Sequence, residues 1–227
     1  MSACLGRLAR IAPGLSFSSL VDCIVEQTFF ERDQPLWAEP HPSDRLYVID
    51  EGFAFDFTIL TGGKRHIFDF YGPGAICNWS RPERGDVPEN IIFKSRTAVL
   101  VIERARLDAL FARDPALSSA VQRHELARAM RVSQRVRALI SLAAKDRLRM
   151  LLLDIAEEYG WTGNPRRWLS MPLTQEETGD LIGSTSVHVS RTFSSLERGK
   201  EIERRGNAFR FVDIDDMRQR MSYRRFG

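Results

Sequence analysis

The 227-residue sequence has only three cysteines, Cys4, Cys23 and Cys77, and no C-x-x-C pair. An odd and low cysteine count excludes a disulfide scaffold and favours a reducing compartment. The apolar runs are short, and none approaches the roughly 20 residues that a membrane-spanning helix needs. The N-terminus also lacks the apolar stretch of a secretory signal. These absences predict a cytoplasmic protein without a membrane partner.

Histidine is scarce as well, with four residues in the whole sequence. None of them forms the His-x-His pair that a cupin-like metal oxygenase would use as ligands. The sequence therefore predicts no metal site and no enzyme. Hydrophobic residues at 43% and charged residues at 28% are typical of an ordinary globular chain.

The net charge of +3 is distributed unevenly along the chain. Residues 1–115 carry a net charge of −3, whereas residues 116–150 carry eight Lys and Arg against two Asp and Glu. Two interpretations of the basic segment stay open at this point. It is either a solvated helix face or a positive field that attracts DNA phosphates.

Six short runs rich in Phe, Val, Ile and Tyr occupy the first half of the chain, separated by Gly, Pro and Asp at intervals of about ten residues. This spacing predicts strands of a barrel or jelly roll. The runs are Gln27–Phe30, Arg45–Ile49, Ala54–Leu60, Lys64–Tyr71, Ile91–Lys94 and Ala98–Ile102.

From Arg104 onward the apolar residues recur at helical spacing. One set is spaced alternately by three and four residues, which is typical of a helix that packs along a partner helix. We expect a dimer seam here, and the alternative is an amphipathic helix lying on its own domain. The seam residues are Ala129, Val132, Val136, Leu139 and Ala143.

The C-terminal part contains a helix-turn-helix pattern, after a further helix predicted over Lys145–Tyr159. Thr174 and Glu177 have the spacing of a capping box and predict a helix over Gln175–Ile182 that ends at Gly183. A second helix is expected over Ser186–Arg198. Residues 202–212 then predict a hairpin with a basic tip, the wing of a winged helix.

Polar side chains on and around the second helix suit DNA recognition. Arg191 has the geometry for a bidentate contact to guanine, and the first helical turn suits entry into a major groove. The candidate base-reading residues are Ser186, His188, Ser190 and Arg191. The candidate phosphate contacts are Thr174, Thr185, Lys200, Arg205 and Asn207.

The segments LTQEETGDLIG at 173–183 and VHVSRT at 187–192 resemble the helix-turn-helix signature of the Crp/Fnr superfamily of bacterial transcription regulators. DRLYVIDEG at 44–52 and FYGPG at 70–74 resemble its roll. The resemblance spans nearly the whole chain and implies an α+β fold. It implies a cyclic-nucleotide-binding-like β-roll (jelly roll) over 1–115, a long dimerisation helix over 116–144 and a winged helix-turn-helix over 145–227.

The resemblance also implies a homodimer on an inverted repeat, a contact with RNA polymerase and an effector or redox signal at the roll. Cyclic-AMP-binding members use a Gly-Glu pair and an Arg, whose positions fall near Asn78-Trp79 and Glu89 here. A carboxylate at Glu89 would repel a cyclic phosphate, so the effector is expected not to be cyclic AMP. A constitutive DNA binder whose roll has no ligand remains the alternative.

The sequence departs from the family pattern in two further respects, the ligands for a cofactor and one residue that reads a DNA base. Three scattered cysteines do not match the four-cysteine iron–sulfur site of Fnr-type members, so no cofactor is predicted. Cys77 leaves a haem-based gas sensor open, against the alternative of a small buried apolar residue. With Asn78, Trp79 and Glu89 it forms the candidate effector pocket. Many Fnr-like members carry a Glu where this chain has Val187, so the operator is expected to differ at the base pair that the Glu would read.

Overall fold

The computed structural model describes residues 2–36, 44–79, 90–161, 164 and 166–226, and Glu89 lies outside them. The chain forms two compact units. The first contains residues up to 58 together with 68–129, and the second contains residues 59–67 and 130–226. In these ranges no helix is long and apolar enough to cross a membrane.

The six predicted strands of the roll are confirmed, with their ends shifted by up to three residues. Two three-stranded sheets form, in the orders β1-β6-β2 and β4-β3-β5. The β1–β6, β2–β6 and β3–β5 pairs are antiparallel. The strands are β1 (Ile24–Phe30), β2 (Arg45–Glu51), β3 (Ala54–Ile59), β4 (Arg65–Tyr71), β5 (Asn90–Phe93) and β6 (Thr97–Glu103).

The β1-β6-β2 sheet separates two hydrophobic cores, because successive side chains of a strand point to opposite faces. Tyr47 and Ile49 of β2 pack in the core shared with β3, β4 and β5. Leu46 and Val48 face the other core, formed with helices at the start of the chain and after β6. This two-sided burial explains why β2 and β6 are continuously apolar rather than alternating.

The helices of the second core include α1, which the apolar pattern did not predict. They are α1 (Ser2–Ile11), a 3-10 helix (Ser18–Cys23), α2 (Arg104–Arg113) and the first turns of α3 (Pro115–Ser141). Asp114 begins α3, because its Oδ1 accepts a hydrogen bond from the Leu117 N–H at 3.0 Å. Proline at the first helical position suits this start. The boundary between the two units falls inside α3, after Ala129.

Besides the end of α3, the described part of the second unit contains four helices and a three-stranded sheet of order β7-β9-β8. The helix predicted over Lys145–Tyr159 is confirmed as α4, shifted by one residue. After α3, the elements of the second unit are α4 (Ala144–Glu158), β7 (Leu169–Ser170), α5 (Gln175–Ile182), α6 (Ser186–Arg198), β8 (Ile202–Arg205), β9 (Ala208–Phe211) and α7 (Ile214–Arg220). Helix α7 was not predicted, although Asp213 caps it by accepting the Asp215 and Asp216 N–H groups.

Three arginines of the basic segment, residues 116–150, fit neither interpretation given above, the solvated helix face or the positive field for DNA phosphates. Arg128 is buried and paired with Asp69 in the first unit. In the second unit Arg131 pairs with Glu158 at 2.6 Å, and Arg135 lies 3.6 Å from Asp154. These guanidinium groups neutralise buried carboxylates of the same chain, so their charge is neither on a solvated face nor available to DNA phosphates.

Candidate nucleic-acid interface

Helix α5 begins and ends as the capping signal predicts. The Thr174 Oγ1 accepts the Glu177 N–H at 3.2 Å, and Glu177 Oε2 accepts the Thr174 N–H at 2.8 Å. Gly183 ends the helix in the left-handed region at φ +62°. The turn then packs closely on α5, because a Cβ at Gly179 would lie 2.6 Å from the Ser184 carbonyl oxygen. The predicted bounds of α5 and α6 are both confirmed.

Helix α6 has one buried and one exposed face. Thr185 caps it by accepting the His188 N–H at 3.3 Å. The buried residues are Val189, Thr192, Phe193 and Leu196. Among the predicted base-reading residues, Ser186, His188 and Arg191 are exposed and Ser190 is half-buried. The exposed face of α6 therefore presents hydroxyl, imidazole and guanidinium groups to a ligand.

The wing is the β8–β9 hairpin, with Gly206 and Asn207 at its turn. Arg205 at the tip is exposed, as are Lys200, Thr174 and Thr185. Asn207 joins the wing to the segment before α5, because its Nδ2 donates to the Met171 carbonyl at 2.7 Å. The phosphate candidates therefore lie at the cap of α6, at the start of α5 and in or next to the wing.

A cleft of about 240 Å³ lies between the wing and the first turn of α5. Thr174, Gln175, Arg204 and Asn207 contribute its polar groups. Arg204 also lies over the Phe193 ring, 4.6 Å from its centroid, which fixes the wing against α6. Free N–H groups at a helix N-terminus and a nearby guanidinium suit a phosphate.

A buried carboxylate joins the wing to α4. Glu201 is 8% exposed and accepts two hydrogen bonds from Arg149, at 2.7 and 2.8 Å. Lys145 at 3.3 Å and Arg220 at 3.4 Å complete the cluster. The hydrogen bonds from Arg149 hold the pKa of Glu201 below its usual value. No local sequence pattern identifies this cluster, because its partners are far apart along the chain.

The last residues of the chain brace α4 from another side. Tyr223 donates its hydroxyl hydrogen to Asp154 Oδ1 at 2.7 Å, and burial raises the pKa of Tyr223. Arg218 and Arg225 both contact Glu157, at 2.8 and 3.0 Å. Together with Arg131 and Arg135, these residues fix the helix on which the helix-turn-helix is built.

The predicted effector-pocket residues of the roll have structural partners. The Asn78 side chain accepts the Tyr47 N–H at 3.1 Å and donates to the Arg45 carbonyl at 2.8 Å. Trp79 packs edge-on against Phe111 with ring centroids 6.4 Å apart. Cys77 is buried in the core that contains Tyr47.

A buried polar cluster that the sequence analysis missed lies at Asp69. Arg128 donates to this carboxylate through Nε at 3.2 Å, and to the Ile76 carbonyl at 3.2 Å. Its guanidinium lies 3.7 Å from the Tyr71 ring centroid, and the Tyr71 hydroxyl reaches Asp56 at 3.4 Å. Asp56 and Asp69 each lie between two phenylalanines in the sequence. This pattern could have indicated that both carboxylates are buried.

These elements define a DNA-binding protein of the winged helix-turn-helix class. Residues 146–220 match the family described as the Crp-like helix-turn-helix domain. The chain therefore contains a Crp-like helix-turn-helix domain, and it is similar to transcription regulators of the Crp/Fnr type. Relatives that it matches are regulators of transcription.

The similarity extends over most of the chain. The nitrogen fixation regulation protein FixK of Azorhizobium caulinodans is 26% identical over 172 residues, covering 74% of this chain and 67% of the relative. The transcriptional activator FnrA of Stutzerimonas stutzeri is 22% identical over 196 residues, covering 86% and 80%. The structure of FixK2 from Bradyrhizobium japonicum has a TM-score of 0.72 at 17% identity, covering 86% of this chain and 96% of that one.

Proposed function

We propose that this regulator acts as a homodimer that reads an inverted DNA repeat, with one α6 helix in each half-site. The observation that carries this proposal is the exposed polar face of α6, with Arg191 at its centre, on a capped and braced helix-turn-helix. Two α6 helices related by a twofold axis would meet half-sites about one helical turn apart. A contact with RNA polymerase in the bacterial cytoplasm follows from the family resemblance.

The proposed dimer seam is an exposed stripe on α3, defined by Leu126, Ala129, Ser133, Val136 and Ile140. These residues are spaced alternately by three and four, the pattern of a helix that packs along a second helix. Ile140 is 81% exposed and Leu126 is 59% exposed, so the apolar stripe is uncovered in the single chain. We propose a second copy of this chain as its occupant, since a twofold axis brings the same stripe from both copies together.

This stripe overlaps the predicted seam without coinciding with it. Ala129 and Val136 are exposed, as a seam requires. Ala143 is also exposed but is not part of the helix, because α3 ends at Ser141, three residues before the predicted end at 144. Val132 and Leu139 are half-buried within their own chain. The proposed seam is therefore rotated slightly around α3, toward Leu126 and Ile140, relative to the sequence prediction.

We expect Ile140→Asp to convert the dimer to monomers, because it places a carboxylate at the most exposed apolar position of the stripe. Sedimentation velocity measures the change directly. Ala116→Asp is the matched control, because it adds the same charge at an exposed position of α3 outside the stripe. A dimeric Ile140→Asp protein would place the seam elsewhere.

We expect Arg191→Ala to weaken binding to the selected operator by about 1–3 kcal/mol while non-specific binding is retained. The operator is first obtained from a random DNA pool at a stated salt concentration, with protein purified without added ligand. Fluorescence anisotropy then compares this operator with one changed at the guanine. Arg198→Ala, in the last turn of α6, is the control. An equal loss on all sequences would make Arg191 a phosphate contact.

A constitutive mode of binding is the alternative to one that is gated by an effector or redox signal at the roll. The Asp69–Arg128 pair joins β4 to α3 through side chains of the chain itself. Burial raises the pKa of the Cys4 thiol to about 11 and also raises the pKa of Cys23, which disfavours the thiolates that oxidants attack. A haem at Cys77 would have to displace the core residues packed around it. Operator selection that succeeds equally with and without cell extract would support this mode.

A further inference from the structure

Val187 is an exposed apolar side chain in the first turn of α6. It is 60% exposed, whereas the other large apolar residues of this helix, Val189, Phe193 and Leu196, are almost fully buried. The neighbouring exposed positions Ser186 and His188 are polar. Packing within the chain therefore does not account for a valine at this position.

Val187 lies on the same helix face as Arg191. Residues four apart on a helix have their Cβ atoms about 5–6 Å apart. Stacked base pairs are about 3.4 Å apart along the duplex axis. If Arg191 contacts a guanine in the major groove, this spacing would place the two methyl groups of Val187 against a base pair one or two steps away.

The chemistry of Val187 restricts what it can recognise there. It has no hydrogen-bonding group, so it cannot pair with the donors and acceptors of the base edges. The apolar group that the major groove presents is the C5-methyl of thymine. We propose that Val187 reads a thymine methyl group in each half-site, next to the guanine read by Arg191. This inference rests on the proposed function of α6 as the base-reading helix.

Replacing thymine by uracil tests the proposal, because it removes the methyl group and leaves every base-pair hydrogen bond in place. Each thymine of the selected operator is replaced in turn, and Kd is measured by anisotropy. For the unmodified protein we expect one position per half-site at which uracil weakens binding about fourfold, the equivalent of about 0.8 kcal/mol for one buried carbon group. Thymines elsewhere in the site serve as internal controls.

Protein variants then show whether Val187 makes the contact. Val187→Ser should bind thymine and uracil operators equally at that position, whereas Val187→Thr, which keeps one methyl group, should retain part of the difference. Ser194→Ala, on the same exposed face, should keep the full difference. Because position 187 is exposed, thermal unfolding of all three variants should match that of the parent protein.

The outcomes separate this inference from the proposed function. Operator binding that is insensitive to uracil at every position overturns the thymine contact and leaves the base-reading role of α6 intact. A uracil effect that persists unchanged in Val187→Ser also overturns it, since another group would then contact the methyl. Failure to select any operator contradicts the proposed function itself. The same thymine can also be replaced by cytosine or by 5-methylcytosine. Restoration of binding by 5-methylcytosine, but not by cytosine, would confirm that the protein contacts the methyl group.

Discussion

Replacing Asp69 by alanine is expected to lower the free energy of unfolding of the first unit by about 3–5 kcal/mol. The variant keeps Arg128, which is 8% exposed, in the interior and removes the carboxylate that neutralises its guanidinium. A buried charge in a medium of low polarity is strongly unfavourable. The effect should therefore be several times that of losing a surface ion pair.

Hydrogen exchange of the β6 amides in increasing urea would measure this loss in the first unit alone. Glu103→Ala is the control, because it removes an exposed ion pair with Arg106 and should cost less than about 1 kcal/mol. The double variant Asp69→Leu with Arg128→Met should recover most of the stability, since it leaves no buried charge. If Asp69→Ala costs no more than Glu103→Ala, the pair does not hold β4 to α3.

Gly179→Ala is expected to destabilise the helix-turn-helix by about 1–3 kcal/mol, the usual cost of overpacking. The added Cβ would meet the Ser184 carbonyl oxygen at 2.6 Å, and a backbone atom cannot move aside as a flexible side chain can. The turn would have to shift relative to α5. Because this turn sets the position of α6, specific DNA affinity should fall at least tenfold.

Thermal unfolding and operator binding by anisotropy would record the two effects of Gly179→Ala. Gly6→Ala is the matched control, since it lies in α1 and a Cβ there meets no atom within 4 Å. In that helix alanine is favoured over glycine by about 1 kcal/mol. Operator affinity retained by Gly179→Ala would mean that α6 keeps its position when the turn is displaced.

The parts of the fold that short sequence signals specify were predicted well. The capping box at Thr174, the glycine at 183 and the Phe- and Val-rich runs are all local, and each corresponds to an element of the structure. The buried ion pairs were not predicted. Asp69 and Arg128 are 59 residues apart, so nothing in either local sequence identifies its partner.

The dimer seam illustrates a different limit. Helix α3 contacts its own chain on one face and presents another outward, and the apolar residues of the two faces follow each other closely. The periodicity of the sequence placed Val132 and Leu139, which are half-buried in the chain, in the same predicted seam as the exposed Val136. Ile140 was left out, although it is the most exposed apolar residue of the helix. Only the three-dimensional burial separates the two sets.

The place of β6 between β1 and β2 has a consequence for protein synthesis. Ile24 pairs with Ile102 and Arg45 pairs with Glu103, so neither early strand has its main partner until β6 leaves the ribosome. At translation rates of about 5–20 residues per second, β6 is synthesised roughly 4–16 s after β1. Unpaired strand edges are sites of aggregation during that interval. The N-terminal unit is therefore most exposed to aggregation during its own synthesis, before β6 is available to pair.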